Sequence, residues 1–391
     1  MARNITIGID VGTHNIKVVV AELVRGKEKP HPKVIGTGIA ESKGLRHGYI
    51  LSHADAVKSV RTAVRQAEKA SGIDIKRAFI SIAGLGLTGT VCQGSVIVSR
   101  GDSEITDLDV KKTLEACENE LPTSFAANRK VIHSIPISYR IDGRMVLGRP
   151  QGMKGMKLEA RTLFVTCLEQ HLNDLIQVLG DAGIEVEDVM AGPLAASLVG
   201  LTKTQKIAGC VLANIGAETV SIVVFENNIP ISLEVFPIGS IDITHDLALG
   251  LKVSLEEAET LKIGAQHEIS YSRKKLDEII DARLSDIFEL IESHLKKIGR
   301  NGLLPAGIVM TGGGSGVNGI EEVAKLALKL PAKVGDIHFS GDTRGQKDSA
   351  WAVAYGLCIL GFTQGDEPSL GIKIVHKTKN SLLSWIKQFL P

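Results

Sequence analysis

The residues best suited to chemistry in this chain occur in two copies of one motif. The run IDVGTHNIKVVV begins at Ile9, and ANIGAETVSIVV begins at Ala213, so a constant offset of 204 residues (214 minus 10) aligns them without a gap. Each copy predicts a strand, an acidic or amide side chain, a glycine turn and a second strand. A single copy would be an ordinary β-hairpin. The matched pair instead predicts a cleft whose turn amides hold a nucleotide polyphosphate from both sides.

The chemistry expected of this cleft is binding of phosphate and Mg²⁺. Asp10, at a strand end, is the candidate water-mediated Mg²⁺ ligand, with Asn214 a possible second ligand, and Lys17 is a candidate phosphate contact. A turn-capping aspartate and an edge-strand lysine are the structural alternatives. The candidate nucleotide-binding residues are Asp10, Gly12, Thr13, His14, Asn15, Lys17, Asn214, Gly216, Thr219, Glu259, Lys262, Gly312, Gly313 and Gly314.

Two further segments could complete this site. The glycines 312–314 follow a predicted buried strand and precede a helix, where glycine lets the backbone pass under a base or a ribose. Glu259 and Lys262 lie three residues apart on one predicted helix, so both could reach a ribose or an adenine edge. A solvated ion pair explains that spacing equally well.

Composition bounds the class of protein. The 391 residues predict two or three domains, and the formal net charge of +1 argues against a nucleic-acid partner. The five cysteines lack metal-site spacing and predict reduced, buried thiols of a cytosolic protein. The chain enters a predicted strand at once, so we expect no signal peptide, and no apolar run is long enough to span a bilayer.

Hydrophobic periodicity predicts the α/β elements that position the motifs. In the first half, strands are predicted within 5–22 and at 33–41, 77–83 and 162–167, and helices at 52–71 (capped by Ser52), 170–182 and 192–199. Between them, residues 85–158 predict an inserted module with strands at 91–98 and 130–141 and a helix at 107–121 capped by Thr106. In the second half, a third strand is predicted at 231–237 and another at 307–310, with helices at 239–249, 255–263, 276–297, 318–330 and 348–360.

The C-terminal residues predict an amphipathic helix after a linker at 365–378. Its apolar stripe and basic surround are typical of a helix that lies on an anionic membrane surface. A terminal helix docked onto the protein body is the alternative. The candidate membrane-binding residues are Leu382, Leu383, Trp385, Ile386, Lys387, Phe389 and Leu390.

These motifs resemble the actin/Hsp70/sugar-kinase superfamily and, within it, the FtsA family of bacterial cell-division proteins. The hairpins are similar to the superfamily's phosphate motifs, residues 311–316 to its adenosine motif, and residues 258–262 to the nucleotide-facing helix of bacterial actins. The resemblance to FtsA in particular covers the whole chain and rests on EITDLDV at 104–110, VIHSIPISYRIDG at 131–143, PQGMKGMKLE at 150–159 and IGSIDITHDLA at 238–248.

The resemblance implies an actin-like (ribonuclease H-like) duplicated two-domain α/β fold with a small inserted α/β module and a C-terminal amphipathic helix. It also implies binding of ATP and Mg²⁺, polymerisation, and anchoring of the FtsZ ring to the cytoplasmic face of the membrane at the division septum. The implied partners are the FtsZ C-terminal peptide, further copies of the chain, and later division proteins on the inserted module. Lys274, Lys275 and Arg283 are candidates for the FtsZ contact, with a solvated face as the alternative.

The implied domain limits follow the same pattern. The first actin-like domain comprises 1–84 and 161–205, with the module at 85–160. The second comprises 206–347, with its outer lobe at about 248–304. The remaining segments are a return helix to the first domain at 348–362, a linker at 363–378 and the membrane-targeting helix at 379–391.

Three departures from the family pattern bear on catalysis. The second phosphate motif usually reads Asp-Ile-Gly-Gly-Gly-Thr, whereas this chain has Asn214 for the aspartate and Ala217 and Glu218 for two glycines. Gly192 stands before Pro193, where hydrolytic bacterial actins often have a glutamate, so no general base is evident. The segment after Gly264 is shorter than in many relatives. We therefore expect retained nucleotide binding, at most weak ATPase activity, and no identifiable catalytic residue.

Three alternatives remain at this point. A pilus-assembly scaffold related to FtsA, PilM, would share the fold and the module. A small-molecule phosphotransferase would need a catalytic aspartate near the cleft, where this chain has Asn214 and Gly192. An Hsp70-like chaperone would need a peptide-binding domain after the second half.

Overall fold

The computed structural model describes residues 4–24, 31–99, 101–123, 127–264, 272–337 and 348–364. The strands are β1 Ile5–Val11, β2 Asn15–Val24, β3 His31–Glu41, β4 Leu45–Arg46, β5 Tyr49–Ile50, β6 Arg77–Ile82, β7 Thr88–Ile97, β8 Arg129–Ile141, β9 Arg144–Val146, β10 Lys157–Leu168, β11 Glu185–Ala191, β12 Cys210–Ile215, β13 Val220–Glu226, β14 Ile229–Phe236, β15 Ile308–Thr311 and β16 Ala332–Val334. The helices are α1 His53–Ser71, α2 Asp107–Asn119, α3 Glu169–Asp181, α4 Gly192–Gly200, α5 Lys203–Ala208, α6 Ser240–Leu251, α7 Leu255–Lys262, α8 Arg273–Lys297, α9 Ile320–Leu328 and α10 Ala352–Gln364.

The sequence repeat is also a repeat of sheet topology. The first half has the strand order β11-β6-β1-β2-β3, and the second half has β16-β15-β12-β13-β14. In each sheet the motif's first strand pairs antiparallel with the motif's second strand and parallel with a later strand of the same half. The predicted duplication is therefore confirmed, with β1 and β2 corresponding to β12 and β13.

Alternating side chains of β12 join two hydrophobic cores. Leu212 belongs to the large core of the first half, whereas Val211 and Ala213 belong to a second core. The long helix α8 covers this second core with a fully buried stripe that includes Leu284, Ile287 and Ile291. A strand buried on both faces needs apolar residues throughout, which is why β12 lacks the alternation of an exposed strand.

The inserted module has its own antiparallel sheet, β7-β10-β8-β9, with α2 on one face. Gly94 allows the close approach of this helix, because a Cβ there would lie 2.4 Å from the Cys117 nitrogen. Thr106 and Asp109 form the predicted N-cap, each side chain accepting a hydrogen bond from the other residue's backbone N–H. The predicted module limit at residue 160 falls inside β10, which pairs with β8 of the module's sheet as far as its last residue, Leu168.

Helix α10 packs against α4 and β1 of the first domain with very short distances between the backbones. A Cβ on Gly356 would lie 1.9 Å from the Ala195 carbonyl oxygen in α4, and a Cβ on Gly8 in β1 would lie 2.2 Å from the Ala354 carbonyl oxygen. Backbone therefore packs on backbone at both points, which only glycine permits. The close packing expected for an alanine-rich helix containing Gly356 is confirmed.

Several local predictions need correction. Strands β11 and β16 and helix α5 were not expected, because they are short and their polar residues hide the strand or helix periodicity. Ser52 does precede α1, but its hydroxyl donates to Asp55 Oδ2 (2.8 Å) rather than capping a backbone N–H. The predicted linker and terminal helix at 365–391 lie outside the described residues. Within the described ranges, no helix combines the length and the apolar character that crossing a bilayer requires.

Candidate nucleotide-binding cleft

The turns of the two hairpins have the same tight geometry. A Cβ on Gly12 would lie 2.8 Å from the Asn15 carbonyl oxygen, and a Cβ on Gly216 would lie 2.9 Å from the Thr219 carbonyl oxygen. Both glycines are therefore required by the turns themselves. Thr13, His14 and Asn15, at the first turn, are partly or fully exposed.

Asp10 lies at the end of β1, cross-strand from Lys17 and beside β6. The Ser81 hydroxyl of β6 donates a hydrogen bond of 2.8 Å to Asp10 Oδ1. Burial raises the pKa of Asp10, while the charge of Lys17 and the bond from Ser81 act in the opposite direction. A carboxylate held in a half-buried pocket against an unfavourable desolvation is typical of a functional site.

Asn214 occupies the corresponding place in the second half. It lies beside Thr311 of β15 in the sheet register, as Asp10 lies beside Ser81. Its amide oxygen faces the glycine-rich loop, because a Cβ on Gly312 would lie 2.6 Å from Asn214 Oδ1. A neutral amide can contact a hydrated cation through its oxygen, but it supplies no negative charge to hold that cation.

The three glycines of the loop have different roles. Gly312 has a φ of 89°, and Gly312 and Gly314 both pack against Ile215 at distances that leave no room for a side chain. A Cβ on Gly313, in contrast, would have no neighbour within 4 Å among the described residues. Gly313 is therefore the glycine that leaves open space for a base or a ribose.

Glu259 and Lys262 form an ion pair, but only Glu259 keeps part of its side chain exposed to solvent. Lys262 is buried, and its ammonium donates to the Ser240 carbonyl (3.1 Å) and to Thr244 Oγ1 (2.9 Å) and pairs with Glu259 Oε2 at 2.6 Å. Three partners use all three of its donors, so Lys262 holds α7 against α6. Glu259 stays 44% exposed at the side chain and is the member that faces solvent.

The pKa of the Glu259 carboxylate is lowered by groups of both halves. Burial acts to raise the pKa of Glu259, but hydrogen bonds from Lys262 and Thr244, and the charges of Lys262 and His14, lower it overall. His14 belongs to the first hairpin turn, and its charge is the weakest of these influences. A contact between the halves joins Glu218 of the second turn to His47, whose backbone N–H donates to Glu218 Oε2.

The position of a possible general base is filled by Gly192, at the start of α4. A Cβ there would meet only ordinary neighbours, Ala83 Cβ at 3.6 Å and the Ile82 carbonyl oxygen at 3.7 Å. The absence of a carboxylate at this position is thus a feature of the sequence and is not forced by packing at the Cβ.

The residues present fit a hydrated Mg²⁺ that is held mainly by a bound polyphosphate. Within the described ranges, no three His, Cys, Asp or Glu side chains come together as a metal-ligand set. Mg²⁺ commonly keeps several waters and binds proteins through one or two carboxylates together with substrate phosphates. Asp10, and Asn214 at the matching position of the second motif, could supply such outer contacts.

The three basic residues that are candidates for a peptide contact lie on α8 and differ in how far their charges are paired. Arg283 donates two hydrogen bonds to Asp246, at 2.7 and 3.1 Å, and pairs with Asp286. The Lys275 ammonium donates to the Gly250 carbonyl (2.7 Å). Lys274 is highly exposed and only loosely paired with Glu278 at 3.8 Å, so its charge is the most accessible of the three.

Sequence reasoning missed the polar residues that connect these parts. Ser81 is a hydroxyl within the otherwise apolar end of a strand, which is the one signal that could have indicated it. Ser315 Oγ lies 2.7 Å from Ser349 Oγ and joins the glycine loop to the segment before α10. Nothing in the local sequence relates those two serines.

Comparison with known proteins gives family matches for the second half of the chain and for the inserted module. The family described as cell division protein FtsA matches residues 211–356, and the SHS2 domain inserted in FtsA matches residues 84–166. The cell division protein FtsA of Bacillus subtilis is 30% identical to this chain. The alignment covers 86% of this chain and 79% of the Bacillus subtilis protein. That of Borreliella burgdorferi is 28% identical over 98% of both chains.

Solved structures support the fold. A PilM–PilN type IV pilus biogenesis complex matches with a TM-score of 0.67 at 16% identity, covering 93% of this chain and 99% of that chain. MreB5 of Spiroplasma citri bound to ADP matches with a TM-score of 0.51 at 11% identity, covering 91% and 95%. At these identities the likeness concerns the fold alone. Together with the sequence relatives, it shows that this chain belongs to the FtsA family of cell division proteins, with an actin-like fold and an inserted SHS2 domain.

Proposed function

We propose that this protein binds ATP with Mg²⁺ in the cleft between its two hairpins, polymerises, and anchors the FtsZ ring to the cytoplasmic face of the membrane at the septum. The observation that carries the nucleotide proposal is the matched pair of glycine-turn hairpins, each with contacts or charge coupling to the opposite half. The nucleotides named for the MreB5 structures, ADP and AMPPNP, support the same reading by analogy.

Calorimetry with Mg²⁺ and ATP tests this proposal directly. Asp10→Asn removes the carboxylate charge but keeps an oxygen near the Ser81 hydroxyl, so we expect ATP affinity to fall at least tenfold. Asp188→Asn, on β11 of the same half, is the matched control and should leave the affinity unchanged. Absence of binding by the parent chain would refute the nucleotide proposal.

Hydrolysis is expected to be slow, because Gly192 supplies no group to orient the attacking water. Phosphate release measured with the calorimetry should therefore stay near background. Gly192→Glu restores a carboxylate at a position where the Cβ meets no steric barrier, and release should rise in that variant. Fast release by the parent chain would mean that another residue acts as the base, and it would favour the phosphotransferase alternative.

The membrane proposal rests on the composition of residues 379–391, which lie outside the described part of the structure. Trp385→Ala combined with Phe389→Ala should abolish sedimentation with vesicles that contain anionic lipid. ATP affinity should stay the same, because the change is remote from the cleft in sequence. Vesicles of neutral lipid serve as the control, and unchanged sedimentation of the double variant would refute the membrane contact.

The FtsZ contact is proposed for the outer lobe, at Lys274, Lys275 and Arg283. A labelled FtsZ C-terminal peptide should bind more weakly to a Lys274→Glu variant, because the exposed Lys274 charge is available to a partly acidic peptide. Lys58→Glu is a matched control: Lys58 is also exposed and loosely paired with an aspartate, at 3.6 Å, but it lies on the first domain. Equal affinities of the two variants would argue against this lobe.

Polymerisation and recruitment of later division proteins are proposed to use the inserted domain. Two apolar side chains at one end of its sheet are exposed: Ile97, which pairs with Lys157, and Met156, whose carbonyl accepts a hydrogen bond from the Val98 N–H. Exposed apolar side chains close together on a surface favour protein contacts. Met156→Lys should reduce ATP-dependent sedimentation of the chain, and Leu326→Lys, at an exposed leucine of α9, is the control.

A further inference from the structure

Glu218 makes a contact between the two halves that the family motif, with glycine there, could not make. Its carboxylate accepts a hydrogen bond from the backbone N–H of His47, and the side chain is only 19% exposed. The His47 ring adds to the contact, with Nδ1 lying 3.4 Å from the Glu218 carbonyl oxygen and 3.9 Å from Glu218 Oε2. Glu218 thus joins the second hairpin turn to the β4–β5 hairpin of the first half.

The first-half end of this contact is held by backbone packing. His47 has a left-handed φ of 49°, and its carbonyl accepts a hydrogen bond from the Leu85 N–H at 3.3 Å. Gly48 and Gly84 are in such close contact that a Cβ on Gly48 would lie 2.6 Å from Gly84 Cα. The His47 N–H is therefore fixed relative to the first domain and the start of the inserted domain.

The second-half end is held in the same way. The N–H groups of Ser240 and Ile241, at the start of α6, donate to the carbonyls of Gly216 and Ala217 at 2.9 and 2.8 Å. A Cβ on Gly239 would lie 2.2 Å from the Ala217 carbonyl oxygen. Because both backbones are fixed, only the Glu218 side chain can break or make the connection without moving a domain.

The position of Glu218 has a titratable counterpart in the first repeat. The offset of 204 residues that aligns the two motifs places His14 at the position of Glu218. The charge of His14 acts only as the weakest of several causes of the lowered pKa of Glu259 on α7. At this position the first turn has a histidine, His14, and the second turn has a carboxylate, Glu218.

We propose that Glu218 is an internal anion that closes the phosphate end of the cleft and must be displaced by the terminal phosphate of a bound nucleoside triphosphate. This inference rests on the proposed nucleotide site. A backbone N–H beside a glycine turn is a good anion donor, and here the protein's own carboxylate occupies it. A γ-phosphate at the same turn would add a second anion close by, and the two repel each other.

Two consequences follow from this competition. A diphosphate, which does not extend to the turn as far as a triphosphate, leaves the Glu218–His47 contact intact and is favoured in relative affinity. A triphosphate releases the β4–β5 hairpin from the second half, so the presence of the third phosphate is transmitted to the junction with the inserted domain at Gly84.

The first test compares affinities for Mg²⁺-ADP and Mg²⁺-AMPPNP in the full chain and in Glu218→Gln. The glutamine keeps the length and an acceptor oxygen but lacks the charge. The preference for ADP over AMPPNP should fall about tenfold or more, the factor that about 1.4 kcal/mol of repulsion produces. Glu256→Gln, at an exposed glutamate of α7, should leave the preference unchanged. An unchanged preference in Glu218→Gln would overturn the competition.

A second test needs no nucleotide. Hydrogen exchange of a peptide spanning residues 44–50 should accelerate in Glu218→Ala, because the His47 N–H loses its acceptor, while Glu256→Ala should leave the exchange as it is. Equal exchange in the parent chain and in Glu218→Ala would overturn the contact itself. If the parent chain bound neither nucleotide, the proposed site would fail and the competition with it, while this exchange measurement would still decide whether Glu218 joins the halves.

Discussion

Replacing Gly356 with alanine should destabilise the first domain strongly, because α10 packs backbone against backbone on α4. The added Cβ would lie 1.9 Å from the Ala195 carbonyl oxygen and 2.5 Å from its carbonyl carbon. A backbone carbonyl within a helix cannot rotate away, so the two helices must separate by roughly 1.5 Å to reach an ordinary contact distance. Buried residues three and four positions away on the same face of α10, Ala352, Val353 and Leu360, would lose packing as well.

The expected loss in the free energy of unfolding is about 3 kcal/mol, at the upper end of the usual range for overpacking. Trp351 is buried immediately before α10 and reports on the docking of this helix by its fluorescence. A Trp385→Phe background removes the other tryptophan of the chain, so urea unfolding can be followed at Trp351 alone.

Gly180→Ala is the matched control for this prediction. Gly180 lies in α3, and a Cβ there would have no described neighbour within 4 Å. Alanine should stabilise that helix by about 0.5–1 kcal/mol, because it restricts the unfolded chain more than glycine does. If Gly356→Ala shifted the unfolding midpoint no more than Gly180→Ala, the close packing of α10 on α4 would be refuted.

Two further predictions concern a buried histidine and an interhelical ion pair. Burial lowers the pKa of His133 to about 3, and the unfolded chain takes up its proton near pH 6.5, so stability falls as the pH drops below 6.5 and by about 2 kcal/mol at pH 5. His133→Gln should remove this part of the pH dependence in urea titrations, whereas a change at the exposed His245 should keep it; equal slopes in both variants would contradict the assignment. Arg283→Ala should lower the free energy of unfolding by about 1 kcal/mol, because the two hydrogen bonds to Asp246 join α8 to α6. Lys274→Ala should have no measurable effect, and equal losses in the two variants would show that the ion pair with Asp246 contributes nothing.

The local parts of the fold could be predicted from the sequence. The glycine turns and the N-cap at Thr106 depend on residues within a few positions of one another, and the duplication is a direct match between two such local motifs, so the order of residues carries the information. The close packing of α10 was also predictable, since small residues repeat along that helix. The same reasoning failed for β11 and β16, because short strands with polar residues have too little pattern to distinguish them from loops.

The composition of the cleft was predicted only in outline. Sequence position indicated Asp10, Gly12 and Gly216, and the structure gives each of them the expected place at a hairpin. It could not show that Lys262 is saturated by three partners, or that Gly312 and Gly314 serve packing while Gly313 leaves open space. Those distinctions depend on which side chains of α6, β12 and α7 meet, and several of these are far apart in the chain.

The contact between Glu218 and His47 is the clearest case of what tertiary structure alone decided. The sequence by itself determined that a carboxylate replaces a glycine in the second turn, and hence that a negative charge lies near the expected phosphates. The two residues are 171 positions apart. Their meeting depends on the packing of two separate sheets and on the backbone conformation at Gly48 and Gly84. Turn chemistry is set by neighbours in sequence, whereas the partner of a turn's side chain is set by how the domains fit together.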